Sequence, residues 1–218
     1  MWLTMRTDIP AAVVVLGSLS CSVVTPPVRH LKNIAVALAA IAFVAPSIAA
    51  QTRQTTTAGR TPYTAADVQF MQGMIAHHAQ AVYMSRLAVG HGANPKVLAL
   101  ATMIDQSQIP EIVIMQNWLR RNNQFAPDTS SWHTMTMAGM LTDAQIKTLN
   151  AAQGIEFDRK FLEYMIQHHS GALKMVEDLF ATPGAGQEVD TNVFANDVVT
   201  VQTGEIGIML KLRKDQRP

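Results

Sequence analysis

The chain has 218 residues, a formal net charge of +1, one cysteine, 13 methionines and 7 histidines. That length supports one hydrophobic core of ordinary size. The near-neutral balance leaves no basic footprint for nucleic acid or an anionic membrane, and a lone cysteine cannot form an internal disulfide.

Lys32 opens an apolar run, Asn33 to Val44, followed by Pro46-Ser47-Ile48-Ala49-Ala50-Gln51. A basic start, an apolar centre and small residues at a cleavage point read as a secretory signal and not as a membrane span. Cleavage is expected near Ala49–Gln51, making the protein exported, periplasmic or secreted. Val28-Arg29-His30-Leu31-Lys32 already supplies a complete basic start, so Val28 is the expected true beginning and residues 1–27 an extension. The alternative takes Arg6, the run Ala11 to Leu19 and Cys21 as a lipoprotein signal, which Ser18-Leu19-Ser20 fits poorly. Removing the signal and extension segment, residues 1–50, takes away Arg6, Arg29, Lys32, Asp8 and Cys21, leaving a net charge of about −1 and no thiol. Any soft metal must then be held by methionine and histidine.

Residues 51–61, rich in Gln, Thr and Arg, read as a disordered leader. Thr64 with Asp67 three residues later opens a first helix to about Leu87, ended by Gly90-His91-Gly92. Asn94-Pro95 opens a second, to about Arg121, as a cap followed by proline. Residues 122–141 are expected as a loop. Thr142 with Gln145 caps a short helix that stops near Gly154. A third long helix follows from about Ile155 to Phe180. Pro183-Gly184-Ala185-Gly186 breaks it, and Asp190 or Thr191 starts a fourth, to about Leu212, before a tail over 214–218. No stretch alternates with period two, so no sheet is expected.

The long helices repeat. Asp67 to Met84 aligns without a gap on Asp158 to Met175 through D-x-x-F-x-x-x-M-I-x-H-H-x-x-A-x-x-M, and Gln108 to Met115 is echoed by Gln202 to Met209 through Q-x-x-E-I-x-x-M. At about 100° per residue, everything the first pattern shares apart from Ile75 falls on a stripe roughly 120° wide. The opposite face, with Gln72, Ala76, Ala79, Tyr83 and Arg86, differs between copies. His77 and His78 straddle the stripe, as do His168 and His169. Two duplicated helical hairpins with one longer crossover imply an all-α four-helix bundle over residues 62–213, the duplicated stripes facing each other. Four histidines aimed at one interior need an explanation, because buried ring nitrogens need partners.

The repeated motif and this layout resemble the family catalogued as domain of unknown function 305, over roughly residues 62–213. Met137-Ala138-Gly139-Met140-Leu141 also matches that family's pattern. The resemblance implies a ferritin-like bundle in an exported or membrane-anchored protein, with copper binding and handling in some members. Carried over by position, it implicates Met74, His77, His78 and Met84, then Met165, His168, His169 and Met175.

The chemistry of this set favours copper, as Cu(I), Cu(II) or both. Thioether sulfur selects Cu(I), imidazole accepts either state, and zinc would recruit Cys, Asp or Glu beside His. Glu111 and Glu205 are placed to hydrogen-bond the outer ring nitrogens and orient the histidines without ligating. A second candidate is the loop group His133, Met135, Met137 and Met140, although with Trp132 the methionines read rather more readily as a hydrophobic lid over the bundle end. Pro110 and Gly204, before the two glutamates, mark either a kink beside the site or tolerated exposed positions. The expected role is that of a copper chaperone, buffer or resistance protein, its partners the metal ion and a copper transport or efflux protein. No catalytic constellation appears, so an enzyme is not expected. A dinuclear iron or manganese oxidoreductase would need Glu-x-x-His, and no Glu stands three residues before these histidines. A metal-free helical interaction module, its His and Glu side chains forming a buried hydrogen-bond network, is the alternative.

Overall fold

A computed structural model of the protein describes residues 62–215. They form α1 (Ala65–Gly90), α2 (Pro95–Arg121), a 3-10 turn (Thr129–His133), α3 (Asp143–Ala151), α4 (Gly154–Ala181) and α5 (Val189–Asp215). No strand occurs among the described residues. The expected signal with its Val28 start, the Cys21 alternative and the leader lie outside them.

The fold is an all-α bundle of four long helices. α1 pairs with α2 and α4 with α5 as hairpins, α1 packs on α4, and α2 touches α5. The ends form for local reasons. Thr64 Oγ1 accepts the Asp67 amide at 3.2 Å while Asp67 accepts the Thr64 amide at 2.6 Å, satisfying two donors at a helix end that lacks partners. Thr142 and Gln145 repeat this at α3. Asn94 accepts the Lys96 amide at 2.9 Å beside Pro95, whose missing N–H is no loss at the first helical position.

The two aspartates of the repeat tie the hairpins together. Asp67 also accepts the Gly186 amide just past α4, at 2.7 Å, and Asp158 accepts the Asn94 amide just past α1, at 3.1 Å. Each copy therefore fastens the end of the other, which fixes α1 and α4 antiparallel.

Four boundaries differ from expectation. α1 continues past Leu87 to Gly90, where the His91 ring contacts the Leu87 carbonyl at 2.6 Å. The 122–141 segment holds the 3-10 turn, begun by Asp128 accepting the Ser130 amide at 2.8 Å. α5 starts at Val189, ahead of Asp190 and Thr191, because the Glu188 carboxylate accepts both the Thr191 amide and Trp118 Nε1 at 3.0 Å. The helix then runs through Lys214 to Asp215 where a tail was expected. Pro110 and Gly204 both face solvent, and α2 and α5 pass them without interruption. The side of α1 opposite the shared stripe is not solvent: Ala76 and Ala79 are buried, with α2 and the 3-10 turn packed on α1.

Candidate metal centre

Antiparallel α1 and α4 bring the paired histidines to one level of the core. His77, His78, His168 and His169 are all fully buried. The His77 and His168 rings face each other across the helix pair with centroids 3.8 Å apart. Within each pair the rings are further apart, 6.4 Å for His77 and His78 and 6.2 Å for His168 and His169.

The outer histidine of each pair is anchored inside its own hairpin. His78 Nε2 lies 2.7 Å from Glu111 Oε2, and His169 Nε2 lies 2.6 Å from Glu205 Oε2. His77 Nε2 lies 3.1 Å from the Ala138 carbonyl. Since carbonyl and carboxylate oxygens only accept, a neutral ring must place its proton on Nε2 and leave Nδ1 with a lone pair. Nδ1 of all four histidines has no hydrogen-bond partner, and His168 lacks one at Nε2 as well.

Burial also holds the inner rings neutral. Removal from water, and then the charges His78 and His169 would carry, push the His77 pKa down to about 3. His168 falls well below the ordinary histidine range, first from burial and then from His77, His169 and His78. A buried nitrogen lone pair on a neutral ring is the form a metal ion takes up.

The methionines divide around this layer. Met74 belongs to a core cluster with Met71, Met115 and Phe194, and Met175 packs against it. Met84 and Met165 belong to a second cluster with Met209, Phe157 and Phe161. Each side thus receives one motif methionine from each repeat. Met115 and Met209, both fully buried, extend the two groups. They close the Q-x-x-E-I-x-x-M pattern, which was the signal for them. The opening residues of that pattern, Gln108 and Gln202, are buried too. Both Gln108 amide atoms and Gln202 Oε1 lack partners. Among the described residues no three His, Cys, Asp or Glu side chains gather as a metal-holding group. The buried sulfur in the same core comes from the methionines of these two clusters.

The crossover covers the layer as a strap. Met137 to Leu141 lies along α1 and α4: Ala138 holds His77, and Gln80 exchanges hydrogen bonds with Leu141, donating at 3.1 Å and accepting at 2.7 Å. Gly139, at φ +76°, and Gly171 let the chain touch the α4 backbone. A Cβ on Gly171 would stand 2.0 Å from the Ala138 oxygen. The second candidate set is split by this arrangement. His133 is exposed and stacks on Trp132 at 3.7 Å, Trp132 stacks on Tyr83 at 5.1 Å, and Met135 is half-buried. Met140 is buried with Sδ accepting the Met137 amide at 3.3 Å, and half-buried Met137 reaches Gly73. Met137 ends with its sulfur against α1 at Gly73, while Trp132 packs on Tyr83 and the Met140 sulfur stays within the strap.

Residues 67–213 match the family described as Domain of unknown function (DUF305). The chain belongs to the DUF305 family. Similar solved structures include a DUF305 fragment from Deinococcus radiodurans, 28% identical over 71% of this chain and 99% of that one, with a TM-score of 0.62. A candidate secreted DUF305 protein from Streptomyces coelicolor is 29% identical over 69% of this chain and 93% of that one, TM-score 0.59. CopM in a Cu(I)-bound form is 25% identical over 72% of this chain and 100% of that one, TM-score 0.56. CopM is also known in Cu(II)-bound and Ag-bound forms. No curated protein matches the chain.

Proposed function

We propose that the protein binds copper, foremost Cu(I), in the core of the bundle through the His77, His78, His168 and His169 layer and the flanking methionines. The observation that carries this is the set of four buried Nδ1 atoms without partners, three of them on rings whose Nε2 is already held. In a metal-free interaction module the buried nitrogens would satisfy one another, since buried polar groups without partners are few in folded proteins. In a dinuclear iron centre the glutamates would ligate, whereas Glu111 and Glu205 each hold a histidine. CopM, a relative with Cu(I)-, Cu(II)- and Ag-bound forms, supports the same reading.

The protein on this reading is a carrier or buffer and not an enzyme. It works outside the cytoplasm, as the signal-like segment 1–50 and the candidate secreted relative suggest. Its partner is then a copper transport or efflux protein. Competition titration of the purified protein against a Cu(I) chelator tests the proposal. His77→Ala with His78→Ala is expected to weaken Cu(I) binding at least tenfold, by analogy with the roughly 10–100-fold losses seen when metal sites lose supporting groups. Unchanged affinity in a folded double variant would sink it.

A further inference from the structure

Met175 sets the second copy of the motif apart from the first. Its counterpart Met84 is fully buried, as are Met74 and Met165. Met175 is half-buried and lines an open cleft of about 200 Å³ with Gln69, Phe70 and Asp178. The strap brings a second thioether to the same spot. A Cβ on Gly73 would meet Met137 Sδ at 2.8 Å and Met175 Cε at 3.4 Å, so both side chains end over the bare backbone of Gly73. The matching position in α4 is Tyr164, and the notch therefore exists once.

Gly73 lies four residues, just over one turn, before His77, about 6 Å along the helix axis. The residue after Met137 holds the His77 ring through its carbonyl. Two soft donors consequently stand near the solvent edge, one helical turn from the buried imidazoles. We infer that Met137 and Met175 form a capture site for a soft monovalent cation, Cu(I) or Ag(I), from which the ion passes inward to the histidine layer. The inward passage rests on the function proposed above; the pairing of the sulfurs does not. Thioethers favour soft ions and bind hard divalent ions poorly. They also carry no proton to be displaced, so capture persists in acid where histidine ligation fades.

Titration of the purified full chain with Ag(I), followed by methionine methyl and histidine ring NMR, tests this. The first additions are expected to shift the Met137 and Met175 methyls together, with the His77 and His168 rings following. Gly73→Ala keeps every donor yet pushes the Met137 sulfur from its notch, and only the end of a flexible side chain must move. It is expected to slow arrival of Ag(I) at the histidines about tenfold, as loss of a supporting group does. Met137→Leu is expected to do the same and to abolish the early shift at Met175. Histidine shifts without any change at Met137 and Met175 overturn the inference and leave the histidine reading standing. Joint methyl shifts without histidine shifts uphold the sulfur pair and overturn both the inward passage and the histidine reading. Silence at both overturns both.

Discussion

Acid is expected to destabilise the metal-free protein through its inner histidines. An unburied histidine takes up its proton near 6.5, whereas burial holds His77 down to about 3. Between those values the unfolded chain binds a proton that the folded chain refuses. Stability therefore rises with pH in that window and is lost as pH falls through it; above 6.5 both states carry a neutral ring and the contribution is constant. At about 1.4 kcal/mol per pH unit for one site, acidification from 6.5 to about 4 removes about 3 kcal/mol through His77 alone. His168, lowered in the same sense, adds to the loss. Against a total of roughly 5–15 kcal/mol this is large. Urea unfolding by circular dichroism across that range measures it, with the double variant His77→Gln, His168→Gln as reference. The variant keeps the carboxylates, so the difference in pH slope isolates the two rings. Equal slopes in the two proteins would refute the reasoning.

Glu205→Ala leaves His169 buried without its anchor, and is expected to cost about 1–3 kcal/mol in stability and 10–100-fold in Cu(I) affinity, read by thermal unfolding and chelator competition. Gly171→Ala drives a Cβ into the Ala138 carbonyl, so the strap must lift; a loss of at least about 2 kcal/mol and exposure of His77 to hydrogen exchange are expected. Met74→Leu with Met84→Leu conserves core volume and should lower Cu(I) affinity while sparing Cu(II), whereas His77→Ala with His78→Ala should lower both. Isothermal titration with each ion separates the two cases, and equal losses for both ions in the methionine variant would show that sulfur does not ligate.

The helices were legible because their signals are local. Thr64 with Asp67, Thr142 with Gln145 and Asn94-Pro95 each place the residues of a cap within four positions of one another. The inward turn of the histidines was legible because a helical stripe needs only its own periodicity. The strap was not. Its path depends on Gly139 adopting a left-handed φ and on Gly171 offering a bare backbone to Ala138, a meeting of distant segments that no period encodes. The start of α5 escaped because glutamate is not among the short side chains that ordinarily cap a helix, and Glu188 does so while also holding Trp118. Likewise Asp67 was read as a local cap, although its second oxygen reaches the far hairpin at Gly186.

A duplicated chain has two hairpins but one connection between them. The strap that fixes His77 therefore has no twin to fix His168, whose two nitrogens are both without partners. Three imidazoles in the layer have Nε2 held by an oxygen acceptor, which fixes their tautomer, whereas nothing fixes which nitrogen of the fourth carries its proton. On the copper reading proposed above, an ion in this layer would meet three donors of fixed tautomer and one whose tautomer is free to suit it.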